Sequence, residues 1–124
     1  MSTTFTIVES TDTLTHVEII GALDVPSTRA IELKFTASTA GRHKPVIIDL
    51  SKVTFISSAA LGMLVQVART LHFDKHPTVL LAPNETIEHA IHIAKLDSMM
   101  PIVKSLKSAL EIAKIPSAAA ERLR

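Results

Sequence analysis

Two adjacent serines, Ser57 and Ser58, stand between an apolar run and a stretch of small residues with helical spacing. At a helix start, unpaired backbone N–H groups and the positive end of the dipole favour an oxygen-rich or anionic group. A serine there can cap the helix, and most do so and nothing more. Asp24 precedes Pro26 and Ser27 and is a second cap candidate. Asp49 closes an apolar run and reads as structural, satisfying the turn toward Ser57. Two imidazole clusters could be imagined around a metal, His89 and His92 with Glu85 and Glu88, and His72 with Asp74 and His76. Neither has a recognisable ligand spacing, so the first reads as a solvated helix face and the second as a helix end. There is no G-x-S-x-G elbow or Gly-rich phosphate cradle, and no tyrosine or tryptophan to stack bases. No enzyme chemistry, metal or cofactor is expected.

The elements that must position the serines follow from periodicity. Val46, Ile47 and Ile48 form a continuous apolar run ended by Asp49, the pattern of a central strand covered on both faces. From Ala59 onward Leu61, Leu64, Val65, Ala68 and Leu71 recur at three and four residues, one face of a helix, with Gln66 and Arg69 pointing elsewhere. Upstream, Phe5, Ile7 and Glu9 alternate with polar residues, Thr11 and Asp12 supply a turn, and Leu14 to Gly21 completes a hairpin. Pro26 and Ser27 start a helix with Ala30, Leu33, Phe35 and Ala37 on its apolar side, and Gly41 stops it. Downstream, Thr78 to Leu81 is a short strand, and Asn84 caps a helix packed through Ile87, Ala90, Ile91 and Ala94. Met99 to Val103 contains Pro101 and suits an edge strand. Ser105 caps a last helix with Leu106, Ala109, Leu110 and Ala113 inward. The order ββαβαβα(β)α predicts an α/β fold, a mostly parallel four- to five-stranded sheet with helices packed against it.

Composition bounds the partners. The 124 residues, 47% hydrophobic and 20% charged, suit one domain over 1–115 with a short C-terminal tail at 116–124. A formal charge of +1 gives no field for gathering nucleic acid. The absence of cysteine excludes disulfides and thiolate metal sites. No apolar run approaches the roughly 18–20 residues of a membrane span, and the N-terminus lacks a signal pattern, so a cytoplasmic, unsecreted protein without membrane insertion is expected.

Three stretches together resemble the STAS domain, the fold of anti-sigma factor antagonists and of the cytoplasmic ends of sulfate transporters. Gly21, Leu23 and Asp24 match its G-x-L-D; Val46 to Leu50 with Ser51 matches its strand ending D-L-S; Phe55-Ile56-Ser57-Ser58-Ala59-Ala60-Leu61-Gly62 matches its serine loop. The resemblance implies a phosphorylation-switched binding module of transcription regulation, an anti-sigma factor antagonist that sequesters an anti-sigma factor serine kinase when unphosphorylated. Ser58 takes the position of the phosphoserine, with Ser57 the alternative. Asp24, Ser57, Ser58, Ala59, Ala60, Leu61 and Gly62 are the implied partner-binding residues, with Asp24 near enough to the loop to bond a seryl hydroxyl or a backbone N–H. Ser57 and Ala60 stand where the usual switch has an acid and a glycine, and a methyl at Ala60 is expected to restrict the turn. The resemblance leaves room for a resetting phosphatase and for a dimer. Its other reading is a non-phosphorylated adaptor subunit of a signalling scaffold or a lipid-transport ATPase complex.

Overall fold

The computed structural model describes residues 3–114; the tail expected over 116–124 lies outside them. Ten elements follow one another: β1 Thr4–Ser10, β2 Thr15–Leu23, α1 Val25–Ser38, a 3-10 turn Ala40–Arg42, β3 Val46–Ile56, α2 Ser58–Phe73, β4 Thr78–Leu81, α3 Glu85–Ile93, β5 Ile102–Val103 and α4 Leu106–Ala113. The five strands lie side by side in chain order. β1 is antiparallel to β2, and β2, β3, β4 and β5 are mutually parallel. Each parallel step needs a crossover, and α1, α2 and α3 supply them.

β3 is the centre because its first residues are buried from both sides. Val46, Ile48 and Leu50 pack with residues of α1, α2 and α3, including Phe35, Leu64 and Ile87. Ile47, from the opposite face, packs with Val79, Leu81 and the α4 residues Ala109 and Ala113. The expected end at Asp49 is corrected: the strand continues to Ile56. Two register shifts against β2, between Glu18 and Ile20 and between Gly21 and Ala22, each add a residue to β3, and the first of them returns Val53 to the core. Asp49 accepts the Ser51 N–H at 2.9 Å, bridging one of these irregularities instead of a chain reversal.

The helices bury stripes slightly different from those expected. On α1 the inward residues are Thr28, Ile31 and Phe35, and Leu33 is 84% exposed. Phe35 sets this phase through an edge contact with Phe5, ring centroids 5.4 Å apart. On α2 the buried set is Ala60, Met63, Leu64, Val67, Ala68 and Leu71, whereas Leu61 and Val65 only flank the core. The small side chains of Ala60 and Ala68 turn inward, which lets the helix lie close to its neighbours. On α3 only Ile87 and Ile91 are buried, because Ala94 is already the C-cap. α1 ends before Gly41: the Thr39 hydroxyl donates to the Phe35 carbonyl at 2.7 Å, and His43 closes the following turn at φ 54°. Gly21, at φ 112°, does need to be glycine, since a Cβ there would lie 3.1 Å from Thr3 Oγ1.

Candidate functional site

Among the described residues four helices begin at the carboxyl edge of the parallel strands, and a side-chain oxygen caps each. Asp24 accepts the Ser27 N–H at 2.8 Å, Ser57 that of Ala60 at 3.2 Å, Asn84 that of Ile87 at 2.9 Å and Ser105 that of Ser108 at 3.2 Å. These residue types recur there because each carries a short acceptor that satisfies an otherwise unpaired donor. Asn84 also donates through Nδ2 to the Val53 carbonyl at 3.3 Å, tying α3 to β3.

Asp24 and Ser57 are neighbours because β2 and β3 end side by side, Leu23 opposite Ile56. The Ser57 N–H donates to the Leu23 carbonyl at 2.9 Å, fastening the two strand ends together. Hydrogen bonds from Ser27, its side chain first and then its backbone, hold the Asp24 carboxyl below the usual aspartate range. Asp24 is therefore occupied as the cap of α1, one of the two roles its position suggests.

The serine pair divides in the same way. Ser57 is the N-cap of α2, with its hydroxyl oxygen accepting inside the helix and its backbone N–H already donated. Ser58 is the first residue of the helix and is exposed. Its hydroxyl sits at the positive end of a 16-residue helix. Of the other residues expected to meet a partner, Ala59 and Leu61 are half-buried and Gly62 is exposed. A Cβ at Gly62 would have no neighbour within 4 Å. Ala60 is 0% exposed and inside regular helix, so its methyl fills the core and neither restricts a turn nor meets a partner.

Members of both imidazole clusters form ion pairs instead. Among the described residues no group of three or more His, Cys, Asp or Glu side chains could hold a metal ion. Asp74 pairs with Nδ1 of His43, a residue to which no sequence spacing pointed. His92 lies between Asp97, 3.0 Å from Nδ1, and Glu88, 3.3 Å from Nε2. Those two bonds, Asp97 first, raise its pKa above the usual histidine value. Phe55, 53% exposed beside the serine pair, was also not foreseen: the two β3 shifts offset each other and leave it on the Ile47 face, but its exposure there depends on how far the helices cover that face. Val25, the first residue of α1, is half-exposed at the same edge.

A sequential sheet with helix N-termini gathered at one edge and a free serine on the second of them defines a class. The STAS domain family pattern matches residues 6–109, and the chain belongs to that family. A Thermotoga neapolitana protein provisionally named an anti-sigma factor antagonist and TM1081 homolog is 29% identical over 69 residues, 56% of this chain. The match spans 61% of that relative's length. An anti-sigma factor antagonist of Mycobacterium paratuberculosis has a similar structure, with TM-score 0.79 and 27% identity over 92% of this chain and 96% of its own. The phosphorylated form of SpoIIAA, a Bacillus cell fate determinant, superposes with TM-score 0.66 at 19% identity, covering 87% of this chain and 97% of its own. No described helix is long and apolar enough to cross a membrane.

Proposed function

We propose that this chain is an anti-sigma factor antagonist that binds an anti-sigma factor serine kinase while unmodified and lets it go once Ser58 is phosphorylated. The observation that carries this reading is the division of labour between the two serines. Ser57 holds the helix together, whereas Ser58 is exposed and makes no structural hydrogen bond through its side chain among the described residues. Phosphorylation adds roughly −1.5 to −2 charges and three acceptor oxygens, which a helix N-terminus accommodates. The domain then needs no refolding. Buried against a partner, the same dianion has a desolvation cost on the order of several kcal/mol, enough to separate the complex. The domain acts as a binding module without catalysis of its own, and the names carried by its relatives support the kind of partner.

The test combines the protein with the anti-sigma factor kinase of the source organism and ATP, maps the phosphate, and measures kinase binding by Ser58→Ala and Ser58→Asp. Phosphate on Ser58, binding by Ser58→Ala and loss of binding by Ser58→Asp are expected. Binding by Ser58→Asp as tight as wild type overturns the switch. Stable co-purification with a scaffold or transporter complex, with no phosphate on any serine, favours the adaptor reading.

A further inference from the structure

The two faces of the sheet are covered unequally. α1, α2 and α3 cover one face along its length, and α4 packs on the other mainly over β3, β4 and β5, with Leu14 at its margin. Among the described residues no helix lies over β2 and the second half of β3 on the α4 face. Alternation places Ile20 and Ala22 of β2 there, since Ile19 and Leu23 face the opposite core. β3 contributes Lys52, opposite Ile20, and Phe55, opposite Ala22. Glu18 on the same strip lies 3.5 Å from Lys52, so the charges at the foot of the strip are balanced. Its upper end is apolar: Phe55 is 53% and Ile20 38% exposed. Phe55 is three residues before Ser58 and next to the strand end that β2 and β3 share.

We infer that Phe55, backed by Ala22 and Ile20, is the apolar anchor on which the partner that reads Ser58 seats. The inference rests on the switch reading above and assigns to it a residue that supplies affinity without sensing phosphate. Size selects the occupant. A half-exposed aromatic offers about 100 Å², half of the 150–250 Å² such a ring can bury. That is far below the roughly 800 Å² per side of a stable interface. The strip is therefore too small to hold a second copy of the chain alone. It suits one buried hot spot in a larger contact that continues over the serine loop. The partner required is a protein with an apolar socket beside the place where it meets the seryl hydroxyl, and with no excess of either charge facing Glu18 and Lys52.

The experiment measures binding of the same kinase to full-length wild type, Phe55→Ser, Ile20→Ser, Ser58→Asp and, as a control on the outer face of α1, Leu33→Ser. Circular dichroism and thermal melting establish that each variant is folded. Phe55→Ser is expected to weaken binding at least tenfold and to raise KM for Ser58 phosphorylation with kcat unchanged. Ile20→Ser is expected to have a smaller effect of the same kind, and Leu33→Ser none. Wild-type affinity in folded Phe55→Ser and Ile20→Ser, alongside lost binding in Ser58→Asp, overturns the anchor and leaves the switch standing. Wild-type affinity in Ser58→Asp overturns the switch itself. Sedimentation of wild type as a dimer that Phe55→Ser disperses also overturns the anchor, because the strip is then a self-interface.

Discussion

The two edges of the sheet are finished with opposite chemistry. Where the helices begin, side-chain oxygens of Asp24, Ser57, Asn84 and Ser105 accept backbone N–H groups. Where they end, the chain turns through non-glycine residues in the left-handed region: His43 after the 3-10 turn at φ 54°, Lys75 after α2 at φ 62° and Lys95 after α3 at φ 60°. Glycine would take these positions at less cost, yet all three carry basic side chains at helix exits, where the dipole favours them. The starting edge keeps its cap acceptors occupied and leaves the exposed Ser58 hydroxyl without a hydrogen bond among the described residues. The exit edge has three of the four described left-handed non-glycine residues and their basic side chains, the fourth being Ala82 at φ 54° before α3, and its polar groups tie the chain to itself.

The largest expected effect is at the exit edge. Arg42 donates to the carbonyls of Leu14 at 3.2 Å and Thr11 at 2.6 Å and to the hydroxyl of Thr15, clamping the β1–β2 turn. Arg42→Ala should lower unfolding free energy in urea by about 2 kcal/mol, the range for hydrogen bonds to a charged group. An unchanged midpoint would mean that the exit edge is not tied as described. Next, Ser57→Ala should destabilise by about 1 kcal/mol through loss of the α2 cap, and Ser58→Ala by clearly less. Equal losses would erase the distinction between the serines. In the opposite direction, Lys75→Gly should stabilise by about 1 kcal/mol by relieving the left-handed conformation. Thermal melting at fixed pH reads both.

The smallest effects are electrostatic and have opposite signs at the two edges. The raised pKa of His92 means that its pairing with Asp97 and Glu88 stabilises fully below the unfolded value of 6.5 and is lost as pH rises through the higher folded value. His92→Gln should flatten stability against pH above 6.5. The lowered pKa of Asp24 works the other way: the cap is at full strength above 3.8 and is lost as pH falls through the depressed folded value. Asp24→Asn should remove that acid dependence and keep the cap, since asparagine caps as well as aspartate. Denaturant melts across the two pH windows separate these contributions.

Element order and caps were legible in the sequence because they depend on local chemistry. Thr78 to Leu81 is a strand as expected, and Asn84 and Ser105 cap the helices they precede. The misreadings arise where non-local packing decides. Asp49 looks like a strand end until the register with the partner strand admits an extra residue after it and lets Val53 return to the core. Leu33 looks buried until Phe5, far away in sequence, fixes which side of Phe35 faces inward. At the site, the serine pair stood out by position. The separation of Ser57 from Ser58 needed the geometry, and so did the exposure of Phe55, which depends on where α4 lies.

The strand order of the sheet also bears on how the chain assembles. Strands lie side by side in the order of synthesis, so each new strand can join an edge that its predecessor has just completed. The β1–β2 hairpin needs only local contacts, and every later strand arrives by one crossover onto the growing edge. No strand has to be inserted between two that are already paired. During elongation on the ribosome, the β3 edge is open until β4 emerges, and the Ile47 face of the sheet is bare until α4 follows. Until α4 is made, the nascent chain leaves the apolar face of Ile47, Val79 and Leu81 uncovered.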